Sequence, residues 1–173
     1  MITLTQIIAE AALIEGLDLK TSELHGLSQR GGSVETHIRI GKKVYSPLVS
    51  SGKADLILSL ETLEGLRSIQ YANAKTIFLI NKDALSFMGS PSEEKIINRL
   101  NKLIKGPKYI IPASKICKKE LGKAVMAGVY LLSYASFKKL IPLKSNSVSK
   151  AILKVVPKRY LELNKKAFEL ARS

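Results

Sequence analysis

The sequence is poor in residues that bind metals or form disulfides. Its 173 residues include one cysteine, Cys117, and two histidines, His25 and His37. One cysteine cannot form an internal disulfide, and it cannot provide the several thiolates that an iron–sulfur cluster or a cysteine-rich zinc site requires. Neither histidine has a second ligand at the spacing of a metal site. We therefore predict no metal site in this chain and interpret Cys117 as a structural thiol.

The sequence also lacks long apolar runs. Its longest uncharged apolar stretch lies between Lys123 and Lys138, which is shorter than the roughly 20 residues that a membrane-spanning helix needs. The N-terminal residues have no basic segment, and Glu10 and Glu15 interrupt their apolar pattern, so they do not resemble a signal peptide. With no export signal and no disulfide, we expect a cytoplasmic protein that does not enter a membrane.

Acidic residues are scarce in the C-terminal half. Residues 1–94 hold 9 Lys and Arg against 11 Asp and Glu, whereas residues 95–173 hold 19 against 3, and the whole chain carries a net charge of +14. Such a basic region can attract nucleic acid or an acidic protein such as a ferredoxin. Because the lysines are scattered and few aromatic residues lie between them, we favour a solvated surface over a nucleic-acid site. A basic nucleic-acid-binding module stays open as an alternative.

The spacing of apolar residues predicts an α/β fold. Helices are predicted at 4–12, 61–72, 92–105, 119–139, 148–155 and 157–170. Strands are predicted at 17–24, 34–40, 54–60, 76–80 and 109–111. This alternation indicates a Rossmann-like, three-layer domain with a mostly parallel sheet and a helical C-terminal third. Since no repeat or long linker divides the sequence, we expect a single domain over residues 1–173.

A polar loop with adjacent glycines connects the first two predicted strands, between residues 24 and 34. The loop consists of His25, Gly26, Leu27, Ser28, Gln29, Arg30, Gly31, Gly32 and Ser33. Adjacent glycines allow positive φ angles and close approach of the backbone, and exposed amides beside an arginine can bind an anion. A Gly-Gly turn between two strands, with Arg30 in solvent, explains the same residues equally well.

The segment HGLSQRGGSVETHIR, from His25 to Arg39, resembles the signature of an enzyme family. It is similar to the gamma-type domain of 2-oxoacid:ferredoxin oxidoreductases, the pyruvate/ketoisovalerate oxidoreductase catalytic domain. Within that family it looks most like the beta subunit of the indolepyruvate enzymes. Other segments that fit the family are YSPL at 45–48, ADL at 54–56, ETLEGLR at 61–67, Asn81 and LELNKKAFEL at 161–170. The first strand and the G-x-G-G-Q-G turn that family members usually carry are missing from this sequence.

The resemblance implies a subunit that supports oxidative decarboxylation of a 2-oxoacid to an acyl-coenzyme A, with ferredoxin as the electron acceptor. Thiamine diphosphate and iron–sulfur clusters would belong to an alpha-type partner subunit. This chain would then hold no cofactor by itself, supply no catalytic acid or base, and be inactive alone. The loop with His25, Ser28, Gln29, Arg30, Gly31 and Gly32 would contact the partner or a cofactor, coenzyme A included. There the planar guanidinium of Arg30 would pair with a phosphate or a carboxylate.

Four more polar residues are candidates for a pocket or an interface. His37 and Arg39 share one face of a predicted strand with Glu35, and a solvated strand face explains them equally well. Glu61 and Glu64 follow a predicted strand, where parallel sheets commonly bind ligands. For these two glutamates we prefer a favourable interaction with the helix dipole. A domain that binds coenzyme A or a nucleotide without any oxidoreductase partner stays open as a third function.

Overall fold

A computed structural model of the chain describes residues 2–25, 33–84 and 91–172, without the side chains of residues 2 and 25. The described residues form seven α-helices: α1 (Ile2–Ile14), α2 (Thr62–Arg67), α3 (Glu93–Leu103), α4 (Ala113–Leu121), α5 (Ala127–Phe137), α6 (Ser145–Val155) and α7 (Lys158–Leu170). They also form five strands: β1 (Asp18–His25), β2 (Val34–Gly41), β3 (Leu56–Ser59), β4 (Ile77–Asn81) and β5 (Lys108–Ile111). The predicted α/β class, parallel sheet and helical C-terminal part are confirmed.

The chain divides into two compact units, one formed by residues 1–49 with 132–173 and the other by residues 50–131. In the first unit, β1 and β2 form an antiparallel hairpin in which Asp18 pairs with Gly41 and His25 pairs with Val34. Helix α1 contacts β1 and packs along α6. The apolar faces of these two helices are fully buried, at Ile7, Ala11, Ala12, Val148 and Ala151.

The second unit contains a three-stranded parallel sheet in the order β3-β4-β5. Its central strand is the most buried, since Phe78, Leu79 and Ile80 are almost completely covered, as expected for a strand with neighbours on both sides. Helix α2 lies close to this sheet at Gly65, where an added Cβ atom would be 3.0 Å from Cδ1 of Ile80. The glycine thus allows this close contact, and a larger residue here would require the Ile80 side chain to move.

The two helices α4 and α5 correct one prediction. A single helix over 119–139 was expected, but α4 covers Ala113–Leu121 and ends at Gly122, whose φ angle is +70°. A short 3₁₀ turn at Ala124–Met126 then leads into α5. Glycine adopts this left-handed conformation without steric cost, so it ends the helix where the apolar pattern continues.

The start of α3 agrees with its prediction. Ser92 precedes the helix in an extended conformation, and its hydroxyl accepts a hydrogen bond from the amide of Lys95 at 3.4 Å. The polar cap and the buried Ile96 and Leu100 are the features of an amphipathic helix, the pattern that predicted a helix over 92–105. Among the described residues, none of the helices has the length and apolar character needed to cross a bilayer.

Candidate functional site

One face of the β1–β2 hairpin is partly covered by the irregular segment 42–49, which we call the strap. Three side chains of the hairpin hold it through backbone groups. The Asp18 carboxylate accepts the amide of Val44 at 2.8 Å, Arg39 donates to the carbonyl of Ser46 at 3.3 Å, and His37 accepts the amide of Val49 at 3.0 Å. In the antiparallel register these three residues lie on the same face of the hairpin, so the strap follows that face from one end towards the other.

His37 is the central residue of this arrangement. Its imidazole is 7% exposed and lies between two partners. Nδ1 faces the Val49 amide, while Nε2 is 2.8 Å from Oε1 of Glu35. Because an amide can only donate, Nδ1 must accept, and the proton of the neutral ring is therefore on Nε2, where it is donated to Glu35. The prediction that His37 and Arg39 share a face with Glu35 is confirmed by the strand register. Of these three side chains, His37 and Arg39 hold the strap.

The opposite face of the hairpin contacts α1. The hydroxyl of Thr5 in this helix donates to the carboxylate of Glu23 at 3.4 Å. Thr36, which pairs with Glu23, carries a buried hydroxyl that has no hydrogen-bond partner among the described residues. The two faces of the hairpin thus have different neighbours, since the strap is bonded to one and α1 contacts the other.

Most of the predicted glycine loop lies outside the described residues. This applies to Gly26, Ser28, Gln29, Arg30, Gly31 and Gly32, and to the side chain of His25. The residues on either side of this segment are described: His25 is the last residue of β1, opposite Val34 of β2, and Ser33 is exposed. The role of this loop as a binding site stays a prediction.

At the carboxyl end of the parallel sheet, polar side chains connect neighbouring segments through hydrogen bonds, and Asn81 is the central residue of this group. This residue ends β4 and is 1% exposed. Its amide nitrogen donates to the carbonyl of Leu60 at 3.1 Å and to the hydroxyl of Ser114 at 2.8 Å, and its oxygen accepts the Ser114 amide at 3.2 Å. Asn81 was noted in the sequence as a polar strand end, whereas its partner Ser114 was missed, since it is distant in sequence and belongs to no motif.

Glu61 and Glu64 lie at the start of α2, near this same edge. Glu61 precedes the helix in an extended conformation but forms no side-chain cap. Glu64, in the first turn, forms an ion pair with Arg67 at 2.6 Å, three residues further along the helix. An acidic residue in the first turn and a basic one in the last both favour the helix dipole. The geometry of Glu64 is thus accounted for within the helix itself, and a ligand-binding role of these glutamates stays a prediction.

Cys117 is completely buried in α4. Burial raises the pKa of its thiol to about 11, because a thiolate would lose its hydration. The three neighbouring lysines do not reverse this effect, which agrees with the interpretation of a structural thiol. Over residues 2–25, 33–84 and 91–172, no three His, Cys, Asp or Glu side chains are grouped so that they could hold a metal ion.

Comparison with known proteins relates the whole chain to one family. Residues 1–173 match the family model described as pyruvate ferredoxin/flavodoxin oxidoreductase. Indolepyruvate oxidoreductase subunit IorB of Archaeoglobus fulgidus is 33% identical to the chain, over 98% of the chain and 86% of that protein. The subunit of the same name from Pyrococcus horikoshii is 31% identical, over 98% of the chain and 87% of that protein.

Solved structures share the fold at low sequence identity. The gamma subunit of a keto/oxoacid ferredoxin oxidoreductase from Geobacter sulfurreducens superposes with a TM-score of 0.71 at 20% identity, covering 99% of this chain and 88% of that one. A 2-oxoglutarate:ferredoxin oxidoreductase from Magnetococcus marinus, with 2-oxoglutarate, coenzyme A and succinyl-CoA bound, gives a TM-score of 0.73 at 18% identity. The match covers 99% of this chain but 28% of that larger one.

Proposed function

The chain belongs to the pyruvate ferredoxin/flavodoxin oxidoreductase family, and from this premise we propose that it is a subunit of an indolepyruvate-type 2-oxoacid:ferredoxin oxidoreductase. The complete enzyme would decarboxylate a 2-oxoacid, transfer the acyl group to coenzyme A and pass two electrons to ferredoxin. The observation that carries this proposal is the match over nearly the full length to curated relatives that bear one name. Neither the nucleic-acid-binding module nor the orphan coenzyme-binding domain is favoured by these matches.

We assign thiamine diphosphate and the iron–sulfur clusters to an alpha-type partner subunit. The residues of this chain do not fit a cluster, since its single cysteine is buried and its thiol has a raised pKa. A cluster needs several thiolates on one surface. In the complex, this chain would bind the partner and shape the entrance to its active site. The complete enzyme would work in the cytoplasm.

The glycine loop would supply this chain's contact with coenzyme A or with the partner. Its ends are held opposite each other by the pairing of His25 with Val34. Arg30 would bind a phosphate or a carboxylate through its planar guanidinium, and the glycines at 31 and 32 would let the backbone approach it closely. The chemistry would come from the cofactors, while this loop would bind and orient one reactant.

Reconstitution tests the subunit assignment. The full chain is co-expressed with the thiamine- and cluster-binding subunit encoded in the same genome, and the purified complex is assayed for reduction of a ferredoxin-type dye. We expect a coloured complex whose dye reduction requires indolepyruvate or another aryl pyruvate, coenzyme A and this chain. If the chain purifies alone and colourless, or if the partner is equally active without it, the proposal is wrong.

A further inference from the structure

We propose that the strap and the basic end of the hairpin beneath it form the docking surface for an acidic, partly apolar segment of the partner subunit. This inference rests on the proposed function, because the partner is the subunit named there. It is based on three observations about the first unit: how the strap is held, what it exposes, and how charge is distributed around it.

The strap is fixed although it has no regular secondary structure. Its backbone is bonded at three points to Asp18, Arg39 and His37, and the amide of Leu48 also donates to the hydroxyl of Ser46 at 3.3 Å. Pro47 restricts the backbone further. A segment held in this way loses little conformational freedom on binding, so a partner meets a surface that is already ordered.

Besides Lys42 and Lys43, the strap presents two large, mainly apolar side chains to solvent. Tyr45 is 80% exposed and Leu48 is 53% exposed. Leu24, on the same face of the hairpin at its far end, is 48% exposed. Single exposed apolar residues are common, but an ordered segment that exposes an aromatic ring beside a leucine has the composition of an interface, where tyrosine is enriched.

The charge near Tyr45 is positive. Lys20 and Arg39 pair directly across the two strands and are both exposed, an arrangement of like charges that weakens a hairpin. Lys42 and Lys43 follow at the turn, and the ammonium of Lys43 lies 5.2 Å from the centre of the Tyr45 ring. None of these four cations forms an ion pair within the part of the chain that the structure describes. Two carboxylates, of Asp18 and Glu35, lie on the same face; the first is bonded to the strap and the second to His37.

Charge complementarity therefore selects an acidic occupant. Carboxylates of the partner would neutralise the like charges on Lys20 and Arg39, while its apolar side chains would cover Tyr45 and Leu48. Such pairing of opposite potentials accelerates association and specifies the partner. We expect the affinity to fall as salt rises, because these charges are exposed to screening.

Binding measurements on variants of the full chain test the surface. Lys20→Glu/Lys43→Glu reverses two charges and leaves the three hydrogen bonds of the strap in place, whereas Tyr45→Ala removes the ring. Lys150→Glu/Lys166→Glu reverses two exposed charges on α6 and α7 and serves as the matched control. Affinity for the purified partner subunit is measured by calorimetry at about 0.05 M and about 0.5 M salt.

The charge-reversed hairpin variant should bind the partner at least about tenfold more weakly at low salt, with a smaller deficit at high salt. Tyr45→Ala should weaken binding at both salt concentrations, and the control should match the wild type. In the wild-type complex, amide exchange over residues 42–49 should slow. Unchanged affinity of both hairpin variants would overturn the docking surface, while a wild-type complex active in dye reduction would leave the proposed function intact.

Two further outcomes are also decisive. If the wild-type chain does not bind the partner at all, the proposed function and the docking surface are both wrong. If Lys20→Glu/Lys43→Glu abolishes binding to a DNA duplex and leaves affinity for the partner unchanged, the surface recognises nucleic acid and the inference is overturned.

Discussion

Replacement of His37 is expected to release the C-terminal end of the strap. The ring is 7% exposed, accepts the Val49 amide at 3.0 Å and donates to Glu35 at 2.8 Å. His37→Ala removes two hydrogen bonds, each with a net contribution of about 1 kcal/mol, and leaves a void where the ring was packed. Val49 and Glu35 are partly accessible to water, which limits the cost of their lost bonds. We expect the free energy of unfolding to fall by about 2–4 kcal/mol.

Two closer substitutions separate the two bonds. The side-chain oxygen of asparagine can lie where Nδ1 lies, so His37→Asn can keep the bond to Val49 and lose the bond to Glu35. The amide nitrogen of glutamine reaches the position of Nε2, so His37→Gln can keep Glu35 and lose Val49. We expect each variant to lower the free energy of unfolding by about 1–2 kcal/mol. His37→Gln should speed amide exchange at Val49 more than His37→Asn does.

Urea denaturation followed by circular dichroism gives the free energy of unfolding, and hydrogen exchange read by NMR reports the Val49 amide. The exchange comparison is the more specific of the two measurements. Global destabilisation raises exchange similarly in two variants of equal stability, so a difference at the Val49 amide reports the local hydrogen bond. Equal exchange at Val49 in the asparagine and glutamine variants would refute the assigned hydrogen bonds. A His37→Ala variant within about 0.5 kcal/mol of the wild type would refute the packing estimate.

Three further predictions concern the second unit. Gly106→Ala would place a Cβ atom 2.2 Å from the carbonyl oxygen of Thr76, so urea denaturation should show a loss of about 2–3 kcal/mol. The pKa of the Cys117 thiol is near 9 in the unfolded chain and about 11 when buried, so the buried neutral thiol contributes its full stability below pH 9. This contribution is lost as pH rises from 9 towards 11, because the unfolded thiol ionises first. The wild type should therefore lose more stability over this interval than Cys117→Ala. Asn81→Asp replaces a buried donor by an acceptor and should cost about 2–4 kcal/mol in thermal or urea unfolding, whereas the exposed Asn98→Asp should cost less than about 0.5 kcal/mol.

Apolar periodicity predicted the elements in which one face or both faces are buried. The alternation in β2 placed His37 and Arg39 on one face, and the register of the hairpin confirms it. The apolar run of β4 predicted a buried strand, which agrees with the near-complete burial of Phe78 and Ile80. Local patterns of this kind arise because burial repeats every two residues in a strand.

The contacts that hold the strap could not be predicted in the same way. The bond from Val44 to Asp18 joins residues 26 positions apart, and the bond from Val49 to His37 joins residues 12 apart. Each pairs one side chain with one backbone amide, so neither leaves a periodic signal in the sequence. The break after α4 was missed for a related reason: one glycine, Gly122, ends the helix within a stretch whose apolar pattern continues.

Polar groups serve different purposes in the two units. At the carboxyl end of the parallel sheet, where α/β proteins commonly bind ligands, Asn81 uses its amide to join Leu60 and Ser114. The described residues at this edge thus bond to one another. In the hairpin, by contrast, buried His37 fixes a strap whose Tyr45 is largely exposed beside cations. The exposed ring of Tyr45 adds nothing to the core of this unit, and we therefore expect its benefit to arise in the complex, where that ring is covered.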